Sequence, residues 1–116
     1  MTGLAMGFVH EQAGDVVVVR LGGRLDSSSA QATEESFARV LASGAPHLVV
    51  DMSQLEYISS AGFRILLLAA KRAEEADSRF VLSGLSGKVQ QLFDLGGFLD
   101  LFTISASLDQ AIAAAR

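Results

Sequence analysis

Residues 48–65 read LVVDMSQLEYISSAGFRI, and within them the spacing of apolar residues changes from that of a strand to that of a helix. Leu48, Val49 and Val50, closed by Asp51, form an apolar run too short for a helix and suited to a central strand. From Ser60 onward, Ala61, Ile65, Leu68, Ala69 and Arg72 recur at helical spacing. Lys71, Arg72, Glu74, Glu75 and Asp77 then make a polar exit, which predicts a helix to about Ala76. Between strand and helix lies a hydroxyl-rich connection, Asp51 to Gly62. There Leu55 and Ile58 are expected to point inward, and Ser59 or Ser60 to cap the helix.

The same change of period repeats on both sides. Upstream, Val16 to Leu21 is a β-branched run between Gly14 and Gly22-Gly23, suited to a strand buried on both faces, with Phe8 to Gln12 as an edge strand paired to it. Ser28 and Gln31 resemble a capping box, and Ala30, Thr33, Phe37, Val40 and Leu41 then follow helical spacing to Gly44. Downstream come a short strand at Phe80 to Leu82, a helix around Val89, Leu92 and Phe93 stopped by Gly96 and Gly97, and a strand at Leu101 to Ile104. An alanine-rich helix capped by Ser107, with Gln110 three residues on, ends the order. The order β, β, α, β, α, β, α, β, α predicts an α/β fold with a small, mainly parallel sheet and helices on at least one face.

Composition narrows the function. The chain has 116 residues, enough for one domain with a sufficient core, and is read as a single domain over residues 1–116. It carries 9 Lys+Arg against 13 Asp+Glu, a net charge of −4, and no cluster of basic residues, which argues against direct nucleic-acid binding. With no cysteine, disulfides, thiolate metal sites and cysteine nucleophiles are excluded. The longest apolar run, Ile65 to Ala70, is far short of the roughly 20 residues needed to span a bilayer, and Met1 to His10 lacks the features of a secretory signal. A soluble, cytoplasmic protein without membrane insertion, metal or cofactor is the expectation.

Enzymatic motifs fail on inspection. Ser83 to Val89, SGLSGKV, suggests a phosphate loop, but Leu82 stands where Gly is needed and Val89 where the magnesium-binding Ser or Thr is needed. No Gly-x-Ser-x-Gly elbow is present, and neither His10 nor His47 belongs to a motif pairing it with a serine. In open α/β sheets the usable crevice lies beyond the carboxyl ends of the strands. Two loops are expected there, Gly22 to Ser29 and Asp51 to Gly62.

The second of these loops carries a resemblance. Val49-Val50-Asp51-Met52-Ser53, Leu55 and Tyr57-Ile58-Ser59-Ser60-Ala61-Gly62-Phe63 resemble the phosphorylation loop of the STAS family of bacterial anti-sigma-factor antagonists. Gly23-Arg24-Leu25-Asp26, Leu95-Gly96-Gly97-Phe98 and Leu108-Asp109-Gln110-Ala111 resemble further family segments in the same order. The resemblance implies a small mixed sheet with about four helices packed on one side. It also implies a non-enzymatic switch: the unphosphorylated protein binds an anti-sigma factor that is a serine kinase, so that a sigma factor is released. The kinase then uses ATP to phosphorylate a loop serine and ends the contact, and a serine phosphatase resets it.

By position Ser60 matches the accepting serine, with Ser59 as second choice. Asp26, Ser59, Ser60, Ala61, Gly62, Phe63 and Arg64 are the expected partner-binding residues, with Phe63, Arg64 and Lys71 exposed. Asp26 is expected beside Ser60 as an orienting or kinase-contacting group, the alternative being a turn or capping carboxylate. Asp51 is expected to brace its loop, and Gly62 to let the partner backbone or the preceding loop approach closely. The protein is expected to be a monomer or weak dimer. Two rival uses of the fold stay open, an accessory subunit that binds a transporter ATPase and a small-ligand sensor.

Overall fold

The computed structural model describes residues 6–44 and 47–116. The reading of Met1 to His10 falls partly outside these residues. Strands β1 (Met6–Ala13) and β2 (Val16–Leu25) form an antiparallel hairpin, followed by α1 (Ala30–Ala42), β3 (His47–Ile58) and α2 (Ser60–Glu75). Then come β4 (Arg79–Ser83), α3 (Gly87–Leu95), a short 3-10 turn at Leu99–Leu101, β5 (Thr103–Ser105) and α4 (Leu108–Ala115). The sheet order is β1-β2-β3-β4-β5, with every pair after the first parallel. The expected α/β order and mainly parallel sheet are therefore present. The last strand begins at Thr103 and not Leu101, because Leu99–Leu101 is taken up by the 3-10 turn.

Strand order equal to chain order decides where the helices lie. Right-handed crossovers that always step to the next strand in the same direction bring their helices to one face. That face is packed by Val17, Val19, Leu21, Leu48, Val50, Met52 and Leu82 against Phe37 and Val40 of α1, Phe63, Leu66 and Ala69 of α2, and Val89 and Phe93 of α3. Helix α4 follows the last strand and crosses over nothing, so it is free to take the other face. Its Ala111 and Ala115 pack there on Val16, Val18, Val49 and Val81. The expectation of all helices on one side thus holds for three of them and is corrected for α4. The cause is already present in β2, whose successive valines point to opposite faces and are buried on both.

Two local expectations shift as well. The inward face of α2 is Gly62, Phe63, Ile65, Leu66, Ala69 and Ala73, rotated from the expected one, and Arg72 is exposed and pairs with Glu34 of α1 at 3.7 Å. The Ser28/Gln31 capping box does not form, because Ser28 is drawn to Asp26 and Ser29 occupies the cap position without a side-chain bond to the helix. Ser107 does cap α4, its hydroxyl accepting from the Gln110 N–H at 3.2 Å.

Candidate functional site

Of the two connections expected as loops, the first is strand as far as Leu25 and the second as far as Ile58. β2 and β3 run on together past Arg20 and Asp51, with Gly22 opposite Gln54, Gly23 opposite Leu55, Arg24 opposite Tyr57 and Leu25 opposite Ile58. Two register shifts interrupt the pairing, the second just after Gly23, whose φ of 85° suits glycine. Because of these irregularities, Met52, Leu55 and Ile58 point into the core at every third residue. The carboxyl ends of β2 and β3 form a paired, anchored platform, and α2 starts directly from it.

Ser59 joins platform to helix. Its N–H donates to the Leu25 carbonyl at 2.9 Å, its carbonyl accepts from the Phe63 N–H at 2.9 Å, and its hydroxyl accepts from the Gly62 N–H at 3.5 Å. Ser59 is therefore the N-cap of α2, half-buried and engaged. Ser60 is the first residue of the helix, exposed, and its hydroxyl makes no hydrogen bond among the described residues. The arrangement separates two adjacent serines chemically: one hydroxyl holds the helix end, and the other faces solvent beside free backbone N–H groups and the positive end of the helix dipole.

Gly62 and Phe63 are not surface contacts. A Cβ on Gly62 would lie 2.6 Å from the Leu25 carbonyl oxygen and 2.7 Å from Ile58 Cγ1, so the close approach is to the strand ends and not to a partner. Gly62→Ala is expected to lower the unfolding free energy by about 1–3 kcal/mol through overpacking, although alanine gains about 1 kcal/mol in helix propensity. A chemical-denaturation midpoint equal to that of the wild type would contradict this. Phe63, expected exposed, is 6% exposed and lies parallel to Phe98 at 4.1 Å and edge-on to Phe93 at 4.8 Å. Its burial follows from its position three residues before Leu66 on the inward face. Ala61 is half-buried, while Arg64 and Lys71 are exposed as expected.

Asp26 follows Leu25 and so sits at the same end of the sheet as Ser59 and Ser60. Its Oδ1 accepts from the Ser28 hydroxyl at 2.7 Å and the Ser28 N–H at 3.0 Å, and its Oδ2 lies 3.5 Å from Arg24 Nε. No hydrogen bond joins it to Ser60 among the described residues. The carboxyl is held below the ordinary aspartate range, first by the Ser28 hydroxyl and then by the Ser28 N–H and Arg24, with burial opposing. A depressed folded-state value means that the carboxylate stabilises the fold above the unfolded-state pKa, roughly 3.9. That contribution is lost as pH falls through the lower folded value. Ser28→Ala is expected to raise the Asp26 midpoint in a carbon-13 NMR titration; an unmoved midpoint would show that Ser28 is not the cause.

The remaining polar groups brace the site. Asp51 accepts from the Ser53 N–H at 3.0 Å and lies 3.6 Å from Arg20 Nε, which fits the bracing role; Arg20 also pairs with Glu11. Motif reading did not find the Arg24 guanidinium stacked over the Tyr57 ring at 4.3 Å, a pairing that depends on the β2–β3 register. His47 accepts from the Arg79 N–H at 3.1 Å, and the His10 ring lies edge-on to Phe8. Among the described residues no three His, Asp or Glu side chains converge to hold a metal, and no helix is long and apolar enough to cross a membrane.

Comparison with known proteins finds relatives of the chain in sequence and in fold. The STAS domain family matches residues 8–111. BtrV of Bordetella bronchiseptica, whose name describes an anti-sigma factor antagonist, is 34% identical over 99 residues, covering 85% of each chain. The crystal structure of an anti-sigma factor antagonist from Mycobacterium paratuberculosis superposes with a TM-score of 0.86 at 27% identity, covering 96% of this chain and 94% of that one. The Bacillus cell-fate determinant SpoIIAA, solved in its phosphorylated form, superposes at 0.70 with 21% identity, covering 95% of this chain and all of the other. At that identity the last likeness bears on the fold alone.

Proposed function

The chain belongs to the STAS domain family, and from that premise we propose that it is an anti-sigma-factor antagonist switched by phosphorylation of Ser60. The reading takes residues 1–116 as one cytoplasmic domain that acts by binding and not by catalysis. Unphosphorylated, it binds an anti-sigma factor with serine-kinase activity and so frees a sigma factor. In the off step the Ser60 Oγ attacks the γ-phosphorus of ATP on that kinase. The Oγ–P bond forms, the bond to the departing ADP breaks, and the hydroxyl proton passes to a base of the kinase. A serine phosphatase hydrolyses the phosphoserine and restores the hydroxyl.

The observation that carries the reading is the contrast between the two serines. Ser59 is engaged as N-cap, whereas Ser60 is exposed and unbonded on a platform moored by the Ser59–Leu25 hydrogen bond. A phosphate there adds about −1.5 to −2 charges at a helix N-terminus, where the N–H groups and the dipole favour negative charge. The fold therefore tolerates the group, and the partner surface does not. Asp26, Ala61 and Arg64 complete the surface around it, while Gly62 and Phe63 support it from inside.

Incubation with the cognate kinase and ATP, followed by peptide mapping by mass spectrometry, tests the assignment. Phosphate is expected on Ser60 and is expected to vanish in Ser60→Ala. Labelling confined to Ser59 or to any other residue would refute it.

A further inference from the structure

We infer that Arg64 is an intramolecular clasp for the phosphoryl group on Ser60, so that phosphorylation both adds negative charge and withdraws a cation from the partner surface. The inference rests on the reading of Ser60 as the acceptor. Ser60 and Arg64 are four residues apart on α2 and both are exposed. Such residues share a helix face with Cβ atoms about 5–6 Å apart, within reach of a guanidinium, and the order anion first, cation second is the favourable one.

Among the described residues Arg64 has no ion-pair partner. Its neighbours one turn away are Ser60, Ala61, Leu67 and Leu68, none of them acidic. Among the described residues, Arg20, Arg24, Arg72 and Arg116 each lie against a carboxylate and Arg64 does not. The other guanidinium at this end of the sheet, Arg24, is taken up by Asp26 and by the face of Tyr57. A phosphate on Ser60 thus meets one uncommitted arginine on its own helix face, and arginine presents the planar fork that phosphate oxygens accept. In the unphosphorylated state the same side chain is free for a partner carboxylate or carbonyl.

The test uses the full chain with phosphoserine placed at position 60 during translation, which needs no kinase. Phosphorus-31 NMR then follows the second ionisation of the phosphate in the wild type, Arg64→Gln and Arg64→Lys. The dianion is favoured by a facing cation, so the wild-type midpoint is expected about 0.3 pH unit below that of Arg64→Gln. Arg64→Lys should recover part of the shift, and high salt should shrink it. The Arg64 Nε–H resonance should move with the same midpoint. Equal midpoints in wild type and Arg64→Gln would overturn the clasp while leaving Ser60 as acceptor untouched. Failure of a kinase to label Ser60 would overturn the acceptor assignment and leave this measurement intact.

Discussion

Phe63→Ala is expected to lower the unfolding free energy by about 3–5 kcal/mol, the usual cost of truncating a buried phenylalanine to alanine. Against the roughly 5–15 kcal/mol of a typical domain, this is among the most damaging single changes available near the site. The ring is 6% exposed, parallel to Phe98 and edge-on to Phe93, which itself meets Phe102 edge-on. Truncation removes apolar burial and aromatic contacts together and unties the start of α2 from α3 and the 3-10 turn. Guanidinium denaturation followed by circular dichroism measures the loss. If Phe63 were instead an exposed partner contact, its alanine variant would keep wild-type stability and lose only binding.

Phosphorylation of Ser60 is expected to do the reverse. Partner affinity should fall about 100-fold, which at 1.4 kcal/mol per tenfold is about 2.8 kcal/mol, a cost in the range seen when a buried charge pair at an interface loses one of its partners. The thermal midpoint should stay put or rise slightly, because a negative group in the first turn of a helix contributes about 0.3–1 kcal/mol of stabilisation. Asp26, at the same end of the sheet, is ionised at neutral pH and adds like-charge repulsion toward any acidic partner group. Ser60→Glu carries one charge where the phosphate carries nearly two, so it should weaken binding by a smaller factor. Calorimetric titration beside a thermal melt separates the effects; a phosphoprotein that binds as tightly as the unmodified chain would refute the electrostatic account.

The two expectations divide the site into a part that holds and a part that signals. Leu25, Ile58, Ser59, Gly62 and Phe63 hold: strand end, helix cap and aromatic stack are interlocked by one carbonyl, that of Leu25, which accepts from Ser59 and stands where a Cβ on residue 62 would intrude. Ser60 and Arg64 are the part we propose to signal, because their exposed side chains make no hydrogen bond or ion pair among the described residues. A rigid support lets a change confined to one hydroxyl alter the surface without loosening the domain.

Much of this was legible from residue spacing. The valines of β2 announce a strand buried on two faces, and the move from Leu48-Val49-Val50 to helical spacing after Ser60 marks β3 and α2. The family resemblance of Tyr57 to Phe63 points to the two serines. The extension of β3 to Ile58 was not legible, since Met52, Leu55 and Ile58 turn inward every third residue while strand reading looks for every second. The distinction between Ser59 and Ser60 needed the hydrogen bonds, because both are good cap residues and only geometry assigns the cap. The stacking of Phe63 on Phe98 joins segments far apart in the chain, and no local pattern encodes that meeting. The place of α4 on the opposite face follows from topology, which spacing within one helix does not carry.

The central claim, that one hydroxyl at the start of α2 decides whether this domain holds its partner, is tested most directly by displacement. A preformed complex of the kinase-type anti-sigma factor with its sigma factor is titrated with the unmodified chain and, separately, with the chain bearing phosphoserine at position 60, and released sigma factor is counted by size-exclusion chromatography. The account predicts release that rises with added unmodified protein and is about 100-fold less sensitive to the phosphorylated form. Equal release by the two forms would contradict it, as would release by neither.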